Sequence, residues 1–396
     1  MKIIVSLIIL LICLELFLYL IIPNLKKKFQ WILFPEDLYP NFDEIKFQNY
    51  LKKSYDKNLG WVRKSNIKGH DKIDQKKIEF NIDAKGYRKL KSKNKKTKIT
   101  SFGGSFVFGR QVKDFETWQE FISKDKNYNL TNYGVGNYGT DQAILRYKYT
   151  KFNKSVGTVL LGIVPEHISR IQSEWKHFFE FGNIHGFKPK FYLRNEKLLL
   201  KKNPLKKNTK FKNLNKIIES CIKTDRFYDE KFKKNIFRFP YLFTFFRNLK
   251  FISKILFIFV IHNKDPNIKD LFLKEVMKRN IISSHNLYGE KYSRQLFLKL
   301  IKYYKKIAKE KNHKPFLIIF PQKIDIIEDK TNKKFINYFR KIISKELSVL
   351  DLTVHFNKQK CKKYFVNSIY GGHLNSKGNR FVANKIKNFL EKNNVV

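Results

Sequence analysis

The residue best placed to do chemistry in this sequence is Ser105, within the segment TKITSFGGSFVFG at residues 97–109. Two glycines, Gly103 and Gly104, precede it at the end of an apolar run that predicts a strand. Adjacent glycines permit a tight turn and let a substrate approach the backbone closely. A serine after such a turn can be a nucleophile if a base reaches its hydroxyl group. On its own, the same pattern also fits a serine that caps a helix or stabilises a turn.

A candidate base lies near the C-terminus, in the segment IYGGHLNSKGNRFVA at residues 369–383. His373 follows the last predicted strand and comes just before the last predicted helix. Gly371 and Gly372 precede it, so it belongs to a loop rich in turn-forming residues. In a parallel sheet this loop and the Ser105 loop reach the same edge, because both follow carboxyl ends of strands. The sequence therefore predicts Ser105 and His373 as a nucleophile–base pair.

The elements that must position this pair alternate between apolar runs and helical patterns. Strands are predicted at residues 98–102, 129–135, 157–164, 314–320 and 347–352. Helices are predicted at residues 116–124, 140–152, 293–311, 331–346 and 376–390. Alternating strands and helices imply an α/β fold in which helices cover both faces of a parallel sheet.

This alternation stops between about residues 171 and 290, where a long, basic and aromatic segment is inserted. It contains the apolar run FISKILFIFVI at residues 251–261. The run is too short to cross a bilayer, which takes about 20 residues. It forms either a buried helix that packs the insertion onto the core, or part of a cap that binds a membrane surface or a glycan.

The N-terminus predicts a membrane anchor over residues 1–25. Residues 3–22 form an almost unbroken apolar run of 20 residues, and such a helix is about 30 Å long, the thickness of a bilayer core. Glu15 interrupts the run, but one carboxylate does not prevent insertion. No small residues of the kind that precede a signal-peptide cleavage site follow it, which favours an uncleaved span. Residues 26–95 are predicted to form a juxtamembrane stalk and lead-in, and residues 96–396 the main domain.

The composition is strongly basic, with a formal net charge of +48 over 396 residues. A dedicated nucleic-acid site would concentrate such charge on one face or in one motif. The lysines and arginines are instead spread over the whole chain, so we expect no specific nucleic-acid partner. Three cysteines, Cys13, Cys221 and Cys361, have neither metal-ligand spacing nor a disulfide framework, so no metal site is predicted.

Several segments resemble sequence blocks of the SGNH/GDSL hydrolase family. FGGSFVFGRQVKDFETW at residues 102–118 is similar to the first block, whose nucleophilic serine matches Ser105. GGHLNSKGNRFVA at residues 371–383 is similar to the last block, whose catalytic histidine matches His373. This resemblance implies a doubly wound, flavodoxin-like, mostly parallel sheet of the SGNH type, and a Ser–His pair that attacks esters.

The resemblance also implies an oxyanion hole. NYGVGNYGTDQA at residues 132–143 is similar to the second block, and Asn137 stands where the family has a glycine whose N–H donates to the oxyanion. Asparagine tolerates left-handed backbone geometry better than most residues, so this N–H can still point correctly. The third-block asparagine is replaced by Glu166 or His167, of which an ionised glutamate could only accept. The implied donors are therefore Ser105, Asn137 and His167.

Two departures from the family pattern concern the catalytic groups. Gly104 replaces the aspartate before the serine, a position that is mainly structural. The aspartate expected two or three residues before His373 is absent, so a backbone carbonyl, Asp141 or Asp351 would have to orient the imidazole. Loss of that carboxylate can cost about 10⁴-fold in rate, and loss of one oxyanion donor about 10²–10³-fold.

The sequence therefore leads to a membrane-anchored SGNH/GDSL-type hydrolase that acts on ester bonds without a metal or organic cofactor. Its partners would be an ester-bearing small molecule, lipid or glycan, such as an O-acylated envelope glycan, and the membrane. One alternative is a catalytically degenerate SGNH-like domain that binds glycan or assists an acyltransferase; another is a basic protein that binds membrane surfaces or polyanions. One lysine precedes the apolar run and three follow it, so the positive-inside rule alone places the domain in the cytoplasm. In so basic a chain this signal carries little information, and the resemblance favours an extracytoplasmic domain.

Overall fold

The computed structural model describes residues 1–73, 76–91, 97–125, 127–152, 156–327, 338, 342–366 and 372–395. Its strands are β1 Tyr55–Asp56, β2 Gly60–Trp61, β3 Ile67–Ile73, β4 Lys76–Ile82, β5 Thr97–Gly103, β6 Tyr128–Asn132, β7 Val156–Ile163, β8 Lys190–Arg194, β9 Lys197–Lys201, β10 Lys314–Ile319 and β11 Val349–Asp351. Its helices are α1 Lys2–Lys28, α2 Glu44–Lys53, α3 Ser105–Phe108, α4 Trp118–Ser123, α5 Thr140–Tyr149, α6 His167–Arg170, α7 Lys176–Phe179, α8 Leu214–Ile222, α9 Lys233–Asn235, α10 Tyr241–Arg247, α11 Leu249–His262, α12 Ile268–Asn286, α13 Lys291–Glu310, α14 Lys323–Ile327 and α15 Ser376–Lys392.

Five strands form one parallel sheet in the order β6-β5-β7-β10-β11. Along β7, Leu161 and Ile163 belong to one buried cluster, together with residues of α5 and α13. Leu160, which directly precedes Leu161, belongs to a second cluster that includes residues of α4 and α15. The strand is apolar on both sides because helices cover both faces of the sheet. The structure thus confirms the predicted α/β class with a parallel sheet.

The five predicted strands correspond to β5, β6, β7, β10 and β11. The strand predicted at residues 129–135 ends earlier, at Asn132, whose Oδ1 accepts a hydrogen bond from the Gly134 N–H at 2.9 Å. Its Nδ2 donates to the Phe108 carbonyl at 3.2 Å, so the chain turns towards α3 at this point. Most of the helix predicted at residues 331–346 lies outside the described residues.

The segment predicted as a stalk, residues 26–95, is folded onto the domain over its described part. In α2, Phe47 and Leu51 lie one turn apart and are buried in the main core. Asp43 caps this helix by accepting a hydrogen bond from the Lys46 N–H at 2.9 Å. The antiparallel pair β3–β4 packs Phe80 against Phe108, directly behind the Ser105 turn.

The insertion at residues 171–290 contains the β8–β9 pair and helices α7 to α12. Asp225 fixes its base, since its Oδ2 accepts hydrogen bonds from the Glu174 and Trp175 N–H groups at 2.6 and 2.9 Å. At its far end, α12 returns to the carboxyl edge of the sheet, where the Ser284 hydroxyl donates to Ser169 Oγ at 3.0 Å. The insertion therefore covers the edge at which Ser105 lies.

The N-terminal helix α1 is long and apolar enough to cross a membrane. Its first half is exposed, whereas Leu18, Ile22 and Leu25 in its second half are fully buried against the insertion. Lys26 ends the apolar stretch and forms an ion pair with Asp37 at 2.5 Å. The first half of α1 thus has an exposed apolar surface, and its second half is part of the protein core.

Candidate active site

Ser105 is the first residue of α3, which begins immediately after β5. The two preceding positions, Gly103 and Gly104, leave no room for a side chain. A Cβ at Gly103 would lie 2.4 Å from the Gly162 carbonyl oxygen, and a Cβ at Gly104 would lie 3.0 Å from His167 Nε2. Contacts this short would force the backbone or its neighbours to move. The glycine pair therefore lets the chain turn sharply and places Ser105 at the carboxyl edge of the sheet.

His373 approaches Ser105 from the loop before α15. The distance between His373 Nε2 and Ser105 Oγ is 2.8 Å. Gly372 makes this approach possible, because its φ of 68° lies in the left-handed region and a Cβ there would be 2.9 Å from the Val366 carbonyl oxygen. The structure thus brings together the two residues that the sequence predicts as nucleophile and base.

The other imidazole nitrogen, His373 Nδ1, lies 2.9 Å from Gln111 Oε1. An amide oxygen can only accept a hydrogen bond, so Nδ1 carries the proton and donates it. Nε2 then has its lone pair free to accept the Ser105 hydroxyl proton. Gln111 therefore occupies the position that a triad aspartate takes next to its histidine.

The position of Gln111 is fixed by a hydrogen bond from its backbone N–H. Its φ of 69° is left-handed, which costs a non-glycine residue about 1–2 kcal/mol. Its N–H donates to Asp71 Oδ2 at 3.0 Å, and Asp71 Oδ1 lies 3.4 Å from Arg110 Nε. Asp71 belongs to β3, so the segment predicted as a stalk supports the site directly.

Neither aspartate considered from the sequence orients His373. Asp141 is buried in an ion pair with Lys188, at 2.5 Å. Asp351 Oδ1 accepts a hydrogen bond from the Thr353 N–H at 2.9 Å, at the start of a 3₁₀ turn. The prediction that one of these carboxylates, or a backbone carbonyl, orients the imidazole is wrong, because Gln111 takes that place.

Asn137 lines the same cavity as Ser105 and His373. Its φ of 67° is left-handed, the geometry for which asparagine is suited. The preceding carbonyl, that of Gly136, accepts a hydrogen bond from Trp61 Nε1 at 3.2 Å. Trp61 thus fixes the loop that carries Asn137.

His167 is buried next to the serine turn and does not line this cavity. Its Nδ1 lies 3.2 Å from Thr140 Oγ1, and its Nε2 faces the backbone of Gly104. Burial, together with the nearby charges of Arg170 and Lys176, lowers the pKa of His167 well below its usual value. The structure places His167 as a support of the turn and does not bring it to the cavity wall.

Glu166, the other residue at this point of the sequence, is fully buried. Its Oε2 accepts hydrogen bonds from Gln322 Nε2 at 2.9 Å and Arg170 Nη2 at 3.0 Å. Arg170 also lies 3.3 Å from Glu180, so it is held between two carboxylates. This network forms the floor of the cavity, where Arg170 is exposed to the cavity space.

The cavity has a volume of about 390 Å³ and lies between three parts of the chain. Ser105 and His373 form its wall at the sheet edge, Trp31 forms a wall just after α1, and Val276 and Met277 of α12 form the opposite side. A volume of this size accommodates a small molecule or the acyl portion of a larger one.

Two arginines and one carboxylate carry the charge of the cavity wall. Arg110, Arg170 and Glu180 all line the cavity, and Glu180 is paired with Arg170 at 3.3 Å. Burial, reinforced by these two guanidinium groups, lowers the pKa of His373 to about 3. At neutral pH the imidazole is therefore uncharged and can accept a proton. Its partner at Nδ1 is the neutral amide of Gln111, which stabilises the protonated form less than a carboxylate would.

The sequence does not predict Gln111, because the candidates for the orienting group were carboxylates and backbone carbonyls. Gln111 instead lies six residues after Ser105, within the same block. Its left-handed backbone and its hydrogen bond to Asp71 have no local sequence signal, since a glutamine in a loop does not by itself indicate either feature. Only the packing of β3 behind the serine turn identifies it.

No protein-family model matches the chain, and no curated protein matches its sequence. The hydrolase resemblance therefore depends on the segments around Ser105, Asn137 and His373. Within the described ranges, no group of three or more His, Cys, Asp or Glu side chains is arranged to hold a metal ion.

Proposed function

We propose that this protein is a membrane-anchored serine hydrolase of the SGNH/GDSL type that cleaves carboxylic esters. The observation that supports it most is the chain of contacts from Ser105 Oγ to His373 Nε2, at 2.8 Å, and from His373 Nδ1 to Gln111 Oε1, at 2.9 Å. A serine bonded to a histidine that a third group orients is the arrangement of an activated nucleophile.

The fold supports the same proposal. Counted along the chain, the strands of the parallel sheet follow the spatial order second, first, third, fourth, fifth, which is the order of flavodoxin-like doubly wound sheets. In such sheets ligands bind beyond the carboxyl ends of the strands. The Ser105 and His373 loops both lie at that edge.

In the proposed reaction, Ser105 Oγ attacks the carbonyl carbon of the ester while His373 Nε2 takes the hydroxyl proton. The carbonyl oxygen becomes an oxyanion, and the backbone N–H groups of Ser105 and Asn137 are its proposed donors. His373 then passes its proton to the departing alcohol, and an acyl–serine ester remains. A water molecule loses a proton to His373 as it attacks this ester. His373 then returns this proton to Ser105 Oγ as the acyl–oxygen bond breaks, which releases the free acid and restores Ser105.

Gln111 orients the imidazole in both steps, but its neutral amide cannot balance the positive charge of the imidazolium form. The change from carboxylate to amide lowers the rate of a Ser–His–Asp triad by about 10⁴-fold, although amides serve as orienting groups in Cys–His–Asn triads. We therefore expect slow turnover. Arg110 and Arg170 favour the negative charge of the oxyanion, which offsets part of this loss.

The proposed substrate is an ester of a small molecule, a lipid or a glycan. O-Acyl groups of envelope glycans or lipids fit a domain anchored by α1, and such a substrate would place the domain outside the cytoplasm. The basic surface, with a net charge of +48, favours anionic carriers of the acyl group.

The test uses the full-length protein in detergent with p-nitrophenyl acetate and, separately, with a fluorophosphonate probe. We expect the wild type to hydrolyse the ester and to be labelled, and Ser105→Ala to do neither. Ser65→Ala, which changes an exposed serine, serves as the matched control and should behave as the wild type. Equal hydrolysis by Ser105→Ala and the wild type would refute the proposal.

A second function is favoured by the amide next to His373 and by the low pKa of about 3 of that histidine. Both weaken the base, so the domain would bind an acylated glycan without cleaving it, or assist an acyltransferase. In that case the folded wild type would not be labelled by the probe, and its affinity for an O-acetylated glycan would be unchanged by Ser105→Ala.

A further inference from the structure

The insertion exposes large apolar side chains on two consecutive helices, α10 and α11. Next to and on α10, Phe239, Phe243 and Phe246 are 72%, 70% and 51% exposed, and near the end of α11 Phe257 and Val260 are 64% and 73% exposed. Scattered apolar side chains are common on soluble proteins, but a group of phenylalanines this exposed marks a contact surface. We call this group the outer face, and it comprises Phe239, Phe243, Phe246, Leu249, Phe257, Val260 and Ile261.

The outer face lies on helices that pack against α1. The inner side of the same two helices, represented by Phe245 and Ile255, forms one buried cluster with Ile22 of α1. On the opposite side of α1, Leu16 and Leu20 are 59% and 67% exposed. Because α1 is the helix that can span a membrane, lipid around it would also meet the outer face.

Glu15 ties α10 to the apolar part of α1. Its Oε1 accepts a hydrogen bond from the Tyr241 N–H at 2.6 Å, and its Oε2 accepts one from the Leu242 N–H at 2.9 Å. Glu15 precedes Lys26 by 11 residues, which is about 16 Å along the helix axis. A carboxylate within an apolar helix of this kind needs partners, and the start of α10 provides them.

The segment that carries the outer face is basic, although Glu36 lines a cavity together with Arg238 and Phe239. Residues 237–264 contain no aspartate or glutamate and five basic residues, all of them exposed: Arg238, Arg247, Lys250, Lys254 and Lys264. Lys254 also lies 3.5 Å from Glu275 of α12. Aromatic side chains combined with lysine and arginine are typical of segments that lie in the membrane interface and attract anionic lipids.

We propose that α10 and α11 lie in the lipid layer beside α1, with the outer face among the acyl chains and the five basic residues among anionic headgroups. The partner is an anionic phospholipid bilayer. α12, which follows α11, lines the cavity together with Trp31, so the cavity lies close to the headgroups. This surface is separate from Ser105, and the inference does not depend on the proposed hydrolase activity.

The test measures contact with lipid in the full-length chain. Cys13→Ser removes the exposed native thiol, whereas Cys221 and Cys361 are buried. Single cysteines are then introduced as Phe243→Cys and Val260→Cys on the outer face, and labelled with an environment-sensitive fluorophore. Leu7→Cys on α1 is the positive control, and Val354→Cys, at a 49% exposed position of the sheet domain, is the negative control.

Each labelled protein is reconstituted into vesicles of phosphatidylcholine and phosphatidylglycerol that contain a lipid-borne quencher. We expect quenching at positions 243 and 260 to approach that at position 7 and to exceed that at position 354 several-fold. Omission of phosphatidylglycerol should reduce the quenching at positions 243 and 260. Thermal unfolding that matches the Cys13→Ser parent shows that each variant is folded.

Quenching at positions 243 and 260 no greater than at position 354, with position 7 quenched, would overturn the inference. Blue-shifted emission without quenching would overturn it as well, since the outer face would then be covered by a protein, such as a second copy of this chain. Equal quenching without phosphatidylglycerol would refute the role of anionic headgroups. Ser105→Ala in the same background should leave all these values unchanged, so the outcome is distinct from that of the hydrolase test.

Discussion

Gln111→Glu is the substitution that tests most directly how His373 is supported. In the wild type, the neutral amide oxygen of Gln111 accepts the His373 Nδ1 proton at 2.9 Å. Glutamate has the same length and nearly the same shape, so its carboxylate can accept the same hydrogen bond. Because a carboxylate also stabilises the imidazolium form, we expect the pKa of His373 to rise from about 3 towards the ordinary histidine range.

The expected gain in rate follows from the change in that one hydrogen bond. A hydrogen bond to a charged group contributes about 1.5–3 kcal/mol, against about 0.5–1.5 kcal/mol for a neutral pair. The difference of about 1–1.5 kcal/mol corresponds to a rate increase of roughly tenfold, with about 10⁴-fold as the upper bound known for this position in triads. Gln111 is 2% exposed, and Asp71 lies 3.0 Å from its backbone nitrogen, so desolvation and repulsion keep the gain near the lower value.

The assay is kcat/KM for p-nitrophenyl acetate as a function of pH. His373 must be uncharged to act as the base, so activity is lost as pH falls through its pKa. The wild type should keep its activity into strongly acidic solution, because the pKa of His373 is about 3. In Gln111→Glu the acidic limb should move to higher pH while the plateau rises.

Two variants serve as controls for this experiment. Gln359→Glu adds the same charge at an exposed position and should change neither the plateau nor the acidic limb. Gln111→Ala removes the acceptor for Nδ1 and should lower the rate. A folded Gln111→Glu protein with an unchanged pH profile, together with an unaffected Gln111→Ala protein, would show that Gln111 does not orient the histidine.

Three further predictions follow from the structure. Gly104→Ala places a methyl group 3.0 Å from His167 Nε2. It should lower both the rate of ester hydrolysis and the free energy of unfolding in urea, the latter by about 1–3 kcal/mol. Gly157→Ala is the control, because its methyl group meets nothing within 4 Å, and it should change neither quantity. Asp71→Ala removes the acceptor for the Gln111 N–H at 3.0 Å and should lower stability by about 1–3 kcal/mol and reduce kcat more than it raises KM; unchanged kinetics would contradict a positioning role. Glu15→Ala leaves two backbone N–H groups of α10 without acceptors, and should make residues 237–262 more sensitive to limited proteolysis in detergent; identical cleavage patterns for variant and wild type would refute this link.

The parts of the site that sequence predicts are those set by local pattern and by topology. The apolar runs become β5, β7 and β10 because a sheet covered on both faces needs strands that are apolar on both sides. The meeting of Ser105 and His373 follows from one rule, since both loops leave the carboxyl ends of parallel strands. Neither inference requires knowledge of how individual side chains pack.

Gln111 was beyond such reasoning because its role depends on contacts between distant parts of the chain. It is 262 residues from His373, which it orients, and 40 residues from Asp71, which holds it. Asp71 lies in a segment whose many lysines suggested a solvated stalk. Lysines, however, extend their charged ends to solvent while nearby apolar residues such as Phe47 and Leu51 pack inwards, so composition alone does not separate a stalk from a folded edge of the domain.

The apolar run at residues 251–261 shows a further limit of sequence patterns next to a membrane. In water, the apolar side of a helix is the side that faces the protein core, so period and orientation are inferred together. In α11 this inference fails, because Ile252 and Ile255 are buried against α1 while Phe257 and Val260 point outwards. Both sides are apolar, and the sequence cannot assign one to protein and the other to lipid. The hydrogen bonds of Glu15 to the start of α10 provide the missing information, because they fix which side of the helical pair faces α1 and therefore which side is left for the bilayer.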